Sequence, residues 1–372
     1  MKLFRLNVAI VLLLLLVVSS INFYVNPYGY YGNNQLAAGT VSLSLYKLKH
    51  LKSDTVKPQA IIFGSSNALS MDPDWITSRT GLKTYNYGIF QFTVEDLYCS
   101  VRALYENNIH PKLIVLCVDD WLLADRPSPK DEVFKGSQNR LSYKPELSKY
   151  LPDYSWLRLD WCRFKSSLSI EQVQTTLPEL KRRLLDRNFT PLSDQELMLF
   201  FNDNGTRKKI TNADNIDITD SAEAGKYDVG GFLKKRHESL KRYPDRPMGL
   251  LTVGQEIFQT YSERRIQLLT ETLEFLNANN CKVILNIMPV QPYYQTLIEQ
   301  NTNYDDRISK LVQLCDTYKK KYPNIIIFKD NHKIENFNGK ANYFFDEIHL
   351  TSSNSTLMLE SLFNNIPKDA FQ

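Results

Sequence analysis

The sequence predicts an α/β protein: a doubly wound, five-stranded parallel sheet carrying a large, mostly helical insertion and an N-terminal membrane helix. Three observations predict it. Five apolar runs, at 60–63, 84–87, 113–118, 283–288 and 325–328, each stop at Gly, Pro, Asp-Asp or Lys-Asp. Such near-continuous short runs suit strands buried on both faces of a parallel sheet. Helical segments fall between or after them, and the front of the chain carries an apolar stretch long enough to span a bilayer.

Taken in order, residues 1–25 open with Lys2 and Arg5, followed by eleven uninterrupted apolar residues at 8–18. The stretch from Leu3 to Val25 is about long enough to cross ~30 Å as a helix. Positive charge before it and tyrosines after it (Tyr24, Tyr28, Tyr30, Tyr31) point to an anchor with its N-terminus inside and the rest of the chain outside the cytoplasm. A cleaved signal peptide is the alternative, although no Ala-x-Ala site follows. Residues 26–57 are polar and read as a linker. Residues 58–124 form the first part of the α/β layer and 256–372 the second. Helices are expected over 94–107, 263–279, 305–319 and 353–364; in the second, Ile266, Leu269, Leu273 and Leu276 repeat at helical spacing behind Ser262 as N-cap. Between the two parts, residues 125–255 are charged, Pro-dotted and weakly periodic, and read as the insertion, with Lys181-Arg182-Arg183 as a solvated helix face.

Composition limits the function. At 43% apolar and 12% aromatic residues the chain buries a full core, and 45 Lys+Arg against 41 Asp+Glu leave only +4, too little for a nucleic-acid partner by charge alone. The five cysteines lie far apart without a CxxC pair, so buried thiols with at most one or two bridges are expected, and no structural zinc. Nucleotide-loop, zinc-protease and calcium-loop patterns are absent, and no metal or cofactor is expected.

In an open parallel sheet, ligands bind at the carboxyl ends of the strands. That rule singles out Gly64-Ser65-Ser66-Asn67 after the first run, the 88–91 turn after the second, Asp119-Asp120-Trp121 after the third, and the loop after the fifth. Near the end of the chain, Asp346 stands three residues before His349. A hydroxyl nucleophile needs a base within hydrogen-bond reach, and the base needs a carboxylate to hold its tautomer. Ser66, His349 and Asp346 supply all three from two segments. An ordinary role is open to each: Ser66 as a helix N-cap, Asp346 and His349 as a capping pair for the last helix. Of the other histidines, His50, His110 and His237 read as solvated; His332 is less certain, since its loop follows the fifth run. Tyr293 and Tyr294 are candidates to stack on a sugar ring or plain surface aromatics.

These blocks resemble the SGNH (GDSL-like) hydrolase superfamily, whose fold is flavodoxin-like. The likeness is greatest to its membrane-anchored, exported branch, which includes alginate O-acetylation and teichoic-acid D-alanylation proteins. The resemblance covers about 58–124 and 255–365. It implies Ser66 as nucleophile, His349 as general base and Asp346 as its orienting acid. Asn86-Tyr87-Gly88 matches the start of the second block, so backbone N–H groups of Ser66 and of the 88–91 turn are the expected oxyanion donors. Two departures stand out. Gln91 replaces the donating glycine of the second block, and Cys117-Val118-Asp119-Asp120 replaces Gly-x-Asn-Asp in the third, losing an amide donor at Asp119; the side chains of Asn67 or Asn86 are the candidate substitutes. Trp121 is expected to line the same pocket. The resemblance thus implies a serine esterase or O-acyltransferase acting on an acylated cell-surface glycan, with a multi-pass membrane acyltransferase as acyl-donating partner. The alternative is an inactive relative that serves envelope assembly or glycan binding.

Overall fold

The structure, a computed structural model, describes residues 2–25, 43–55, 57–90, 92–124, 145–168, 170–185, 201–207, 218–241, 260–364 and 366–371. In chain order its main elements are α1 (Lys2–Val25), α2 (Leu43–Ser53), β1 (Ala60–Phe63), α3 (Pro73–Thr80), β2 (Thr84–Asn86), α4 (Val94–Glu106), β3 (Leu113–Val118), α5 (Trp156–Ser167), α6 (Ile170–Leu185), α7 (Val229–Lys241), α8 (Glu263–Ala278), β4 (Lys282–Ile287), α9 (Pro292–Asn301), α10 (Tyr304–Lys321), β5 (Ile326–Asp330) and α11 (Ser352–Phe363). They fall into two compact units: Met1–Tyr46 with Ser137–Leu199, and Lys47–Gly136 with Phe200–Gln372. The stretch read as one insertion, 125–255, is therefore shared between the units.

The larger unit holds a five-stranded, wholly parallel sheet in the order β2-β1-β3-β4-β5. The expected α/β fold is the observed one. β1 and β3 are buried along their whole length, as their unbroken apolar sequence requires. The order reverses direction between β1 and β3, which pair with Ile62 beside Val115. In such sheets the crevice for a ligand opens at the carboxyl ends of the strands flanking that reversal.

Local chemistry sets the helix starts. α4 begins in a capping box, with Thr93 accepting from the Asp96 N–H while the Asp96 carboxylate accepts from the Thr93 N–H. α3 starts at Asp72 followed by Pro73 and ends at Gly81, whose φ of 76° suits glycine. Ser262 does occupy the N-cap position of α8, but its side chain makes no capping bond.

Part of the predicted linker is structured. α2 turns Lys47, Leu48 and Leu51 into the interior. The Lys47 amine donates to the carbonyls of Asn86 and Gly205, both at 2.8 Å, and lies 5.0 Å from the Phe201 ring centre. Helical periodicity was masked here because the buried face carries a lysine. Gly205 is needed at its turn: at φ 85°, an added Cβ would lie 2.2 Å from the Asn86 carbonyl oxygen.

In the smaller unit, α1 from Phe4 to Val25 is long and apolar enough to cross a membrane. Two polar groups near its end meet α5: Ser19 Oγ lies 2.8 Å from Ser167 Oγ, and Asn22 Nδ2 donates to the Ser167 carbonyl at 2.6 Å. Trp156, Trp161 and Phe164 of α5 remain exposed. Among the described residues, Cys99, Cys117, Cys281 and Cys315 are free, buried thiols.

Candidate active site

The turn after β1 begins with a glycine for a steric reason. A Cβ on Gly64 would lie 2.7 Å from Cys117 Cβ and 2.8 Å from Ala68 Cβ, so only glycine lets this turn cross so close to β3. The chain then enters a single 3₁₀ turn, Ser66–Ser70. Its N-cap is Ser65, whose Oγ accepts from the Asn67 N–H at 3.2 Å. Capping is thus done by the neighbour, and the Ser66 hydroxyl stays available.

The loop before α11 supplies the partner groups. It closes on itself through the Phe345 N–H, which donates to the His349 carbonyl at 2.8 Å. Within it, Asp346 Oδ1 accepts from the backbone N–H groups of Ile348 and His349, at 3.0 and 2.9 Å. Asp346 Oδ2 meets His349 Nδ1 at 2.7 Å, and His349 Nε2 meets Ser66 Oγ at 2.8 Å. The cap of α11 is Thr351, which takes the Asn354 N–H, so Asp346 and His349 are not its capping pair.

Electrostatics follow from this geometry. Burial opposes a charge on Asp346, yet the His349 ring and the two backbone N–H groups outweigh it and hold the carboxyl below its ordinary range. Burial also opposes the imidazolium of His349, and Asp346 again outweighs it, so the ring titrates above its ordinary value. The charge of Arg207 pulls the other way.

Arg207 carries no sequence signal. It lies in the stretch read as insertion, in a short hairpin where Phe201 bridges Arg207 and the Asn204 carbonyl accepts the Asn86 N–H at 2.8 Å. Its guanidinium stands 5.2 Å from the ring centre of Phe90, on the turn after β2.

Two expected oxyanion donors are committed elsewhere. The Gly88 N–H donates to Asn86 Oδ1 at 2.8 Å, and the adjacent Ile89 N–H to the Gly64 carbonyl at 3.0 Å. Asn86 Nδ2 spends its two hydrogens on the carbonyls of Ala68 and Met71, at 2.7 and 2.9 Å. Asn86 and Gly88 therefore brace the turn rather than face a substrate; a fully buried amide must satisfy all its groups within the fold. Gln91 lies outside the described residues.

At the end of β3, Asp119 is buried and meets Asn67 Nδ2 at 2.6 Å. Burial pushes its carboxyl up to about 7. Asp120 pairs with Arg307 of α10 at 2.7 Å. Trp121 is half-buried in the same turn. Among the other aromatics and histidines, Tyr294 is a core residue, which removes it from the sugar-stacking pair, while His50 stacks on Tyr85 and His110 meets Tyr105 edge to face. No group of three or more metal-ligating side chains occurs among the described residues.

No family model and no curated protein matches the chain. Among solved structures, a proposed acylhydrolase from Bacteroides fragilis is similar over 88% of this chain and 98% of its own, at 13% identity and a TM-score of 0.35. So loose a likeness says nothing about chemistry.

Proposed function

We propose that the chain is a serine-dependent acyl-ester hydrolase or O-acyltransferase of SGNH type, anchored by α1 and working outside the cytoplasm on acyl groups of a cell-surface polysaccharide. The observation that carries this reading is the unbroken chain Ser66 Oγ–His349 Nε2, His349 Nδ1–Asp346 Oδ2, with contacts of 2.8 and 2.7 Å. Ser66 Oγ attacks the acyl carbonyl carbon while His349 Nε2 takes its proton, and the carbonyl π pair moves to oxygen. Collapse of the tetrahedral adduct re-forms the carbonyl and expels the alkoxide, which leaves with the proton from His349. Water or a sugar hydroxyl then attacks the acyl-Ser66 ester, again giving its proton to His349, and collapse of this second adduct breaks the acyl–Oγ bond and returns that proton to Ser66 Oγ. Asp346 stabilises the imidazolium in both halves and fixes which ring nitrogen faces the serine.

The anchored, exported setting is supported by the apolar span of α1 behind Lys2 and Arg5. Its packing against α5, whose exposed Trp156 and Trp161 are residues favoured at membrane interfaces, points the same way. Transfer rather than hydrolysis, with an acylated glycan or acyl donor delivered by a multi-pass membrane acyltransferase, rests on the sequence resemblance.

A second reading, an inactive relative that binds glycan or assists envelope assembly, is favoured by one observation: Asp119 occupies the place of an amide donor. The two separate on covalent labelling of the full-length protein in detergent with a fluorophosphonate, alongside turnover of p-nitrophenyl acetate. Labelling that vanishes in Ser66→Ala and His349→Ala is the result expected of the enzyme. A folded wild type that neither labels nor turns over supports the second reading.

A further inference from the structure

A tetrahedral adduct on Ser66 places a negative charge on the former carbonyl oxygen, and each preorganised donor aimed at it is worth about 10²–10³ in rate. Few donors remain. The N–H groups of Gly88 and Ile89 are spent inside the fold, as are both hydrogens of Asn86 Nδ2. The Ser65 hydroxyl caps the turn by accepting the Asn67 N–H and acts electrostatically on Asp119. Among the described residues, the Ser66 N–H, which opens the 3₁₀ turn, and one end of the Asn67 amide stand beside the nucleophile.

That amide is in an unusual position. Asn67 is 1% exposed, and one end of its side chain touches Asp119 Oδ1 while the other is buried with no hydrogen-bond partner among the described residues. The two ends of an amide have the same shape, so the partner decides which faces which way. The contact of 2.6 Å is short for N–H···O and ordinary for O–H···O.

Resting on the Ser66 reading, we infer that Asn67 Nδ2 is the missing oxyanion donor, and that Asp119 positions it by donating its carboxyl proton to Asn67 Oδ1. In this arrangement the acid and the amide oxygen satisfy each other, and the unpartnered end of the amide, one residue from the nucleophile, becomes an N–H free to donate. If Asp119 ionises, the amide must turn Nδ2 to the carboxylate, and the oxygen that replaces it repels the adduct. A carboxylic acid kept neutral so that it can donate is an established catalytic device.

The surroundings of Asp119 set the switching range. Burial is the largest influence and raises it, to about 7; the Ser65 hydroxyl and the Asn67 amide oppose this. Asp120, itself paired with Arg307, adds to the rise, His349 in its charged form lowers it, and the Cys117 thiol lies near, two residues back on β3. His349 must be neutral to act as base and Asp119 protonated to hold the amide, so activity is confined between the two titrations.

The test uses full-length protein in detergent, with p-nitrophenyl acetate and a fluorophosphonate as probes, from about pH 5 to 9. A bell-shaped profile is expected for the wild type. In Asp119→Asn, which keeps a donor toward Asn67 Oδ1 but no titrating proton, the alkaline limb should disappear. Asn67→Ala should slow both probes on the order of 10²-fold at neutral pH. An Asp119→Asn variant that retains the alkaline limb, or an Asn67→Ala variant that reacts like wild type, overturns the inference while leaving the Ser66 reading intact. Should Asn67→Ala fail to fold by circular dichroism, infrared difference spectra decide. A carboxylic-acid carbonyl band present near pH 6 and lost in Asp119→Asn supports the inference; its absence from the wild type overturns it. A folded wild type that never labels overturns the hydrolase reading and this one together.

Discussion

Asp346 and His349 meet at 2.7 Å in the loop before α11, while Asp330 and His332 meet at 2.5 Å at the end of β5. Both pairs stand where the strands of one sheet run out, and both are close enough to orient an imidazole. The first carboxylate divides its work, Oδ1 taking two backbone N–H groups and Oδ2 the ring. The second uses Oδ1 for both the backbone N–H and the ring of His332. The Asp346 side chain is 5% exposed against 30% for Asp330. Most telling, His349 faces the hydroxyl of Ser66, whereas among the described residues no hydroxyl meets the far nitrogen of His332. An acid–histidine pair is cheap to form at a sheet edge. What distinguishes a reactive one is a nucleophile freed from local duties and a carboxylate too dry to wander.

The comparison can be broken most decisively at the nucleophile. Ser66→Ala or His349→Ala should each reduce ester turnover by about 10⁴-fold or more and abolish fluorophosphonate labelling, with unchanged circular dichroism. Retained labelling in either would put the two pairs on an equal footing. Asp346→Asn comes next, with turnover down by about 10⁴-fold through loss of the ring's orientation. The sign of its pH effect follows from the raised titration of His349: without the carboxylate, the imidazolium is less favoured and the acidic limb of kcat/KM should move to lower pH. Arg207→Ala sharpens the contrast by a smaller effect of opposite sign. Removing a positive charge makes the His349 imidazolium easier to form, so the acidic limb should shift to higher pH, read from the same profiles. The smallest effect is expected at the other pair. His332→Ala should leave turnover within about twofold and let Asp330, which His332 helps hold below its ordinary range against the pull of burial, titrate higher by NMR.

Much of this arrangement was legible in the amino-acid order. β1 and β3 are found at 60–63 and 113–118, as expected, because strands buried on both faces are unbroken apolar runs that end where the sheet does. Ser66, Asp346 and His349 were legible for a related reason: two of the three share one loop and the third follows the first strand. Residue types alone did not disclose the direction of hydrogen bonds. Asn86 and Gly88 have the right chemistry for a substrate, but each satisfies the other, which only the path of the turn after β2 determines. Arg207 and α2 were hidden because neither an apolar period nor a motif marks them. The hairpin is polar, and the inward face of α2 includes a lysine.

That lysine has a consequence for the whole arrangement. Burial drives the Lys47 amine well below its ordinary value of 10.5, so the unfolded chain binds the proton more readily than the folded one. Between the folded titration and 10.5, each rise in pH therefore favours the native state. The amine grips the Gly205 carbonyl, at the turn that presents Arg207. Over that range the fold that holds the Arg207 turn against the site resists unfolding better as the solution grows more alkaline, so durability and the alkaline working range of the site run together.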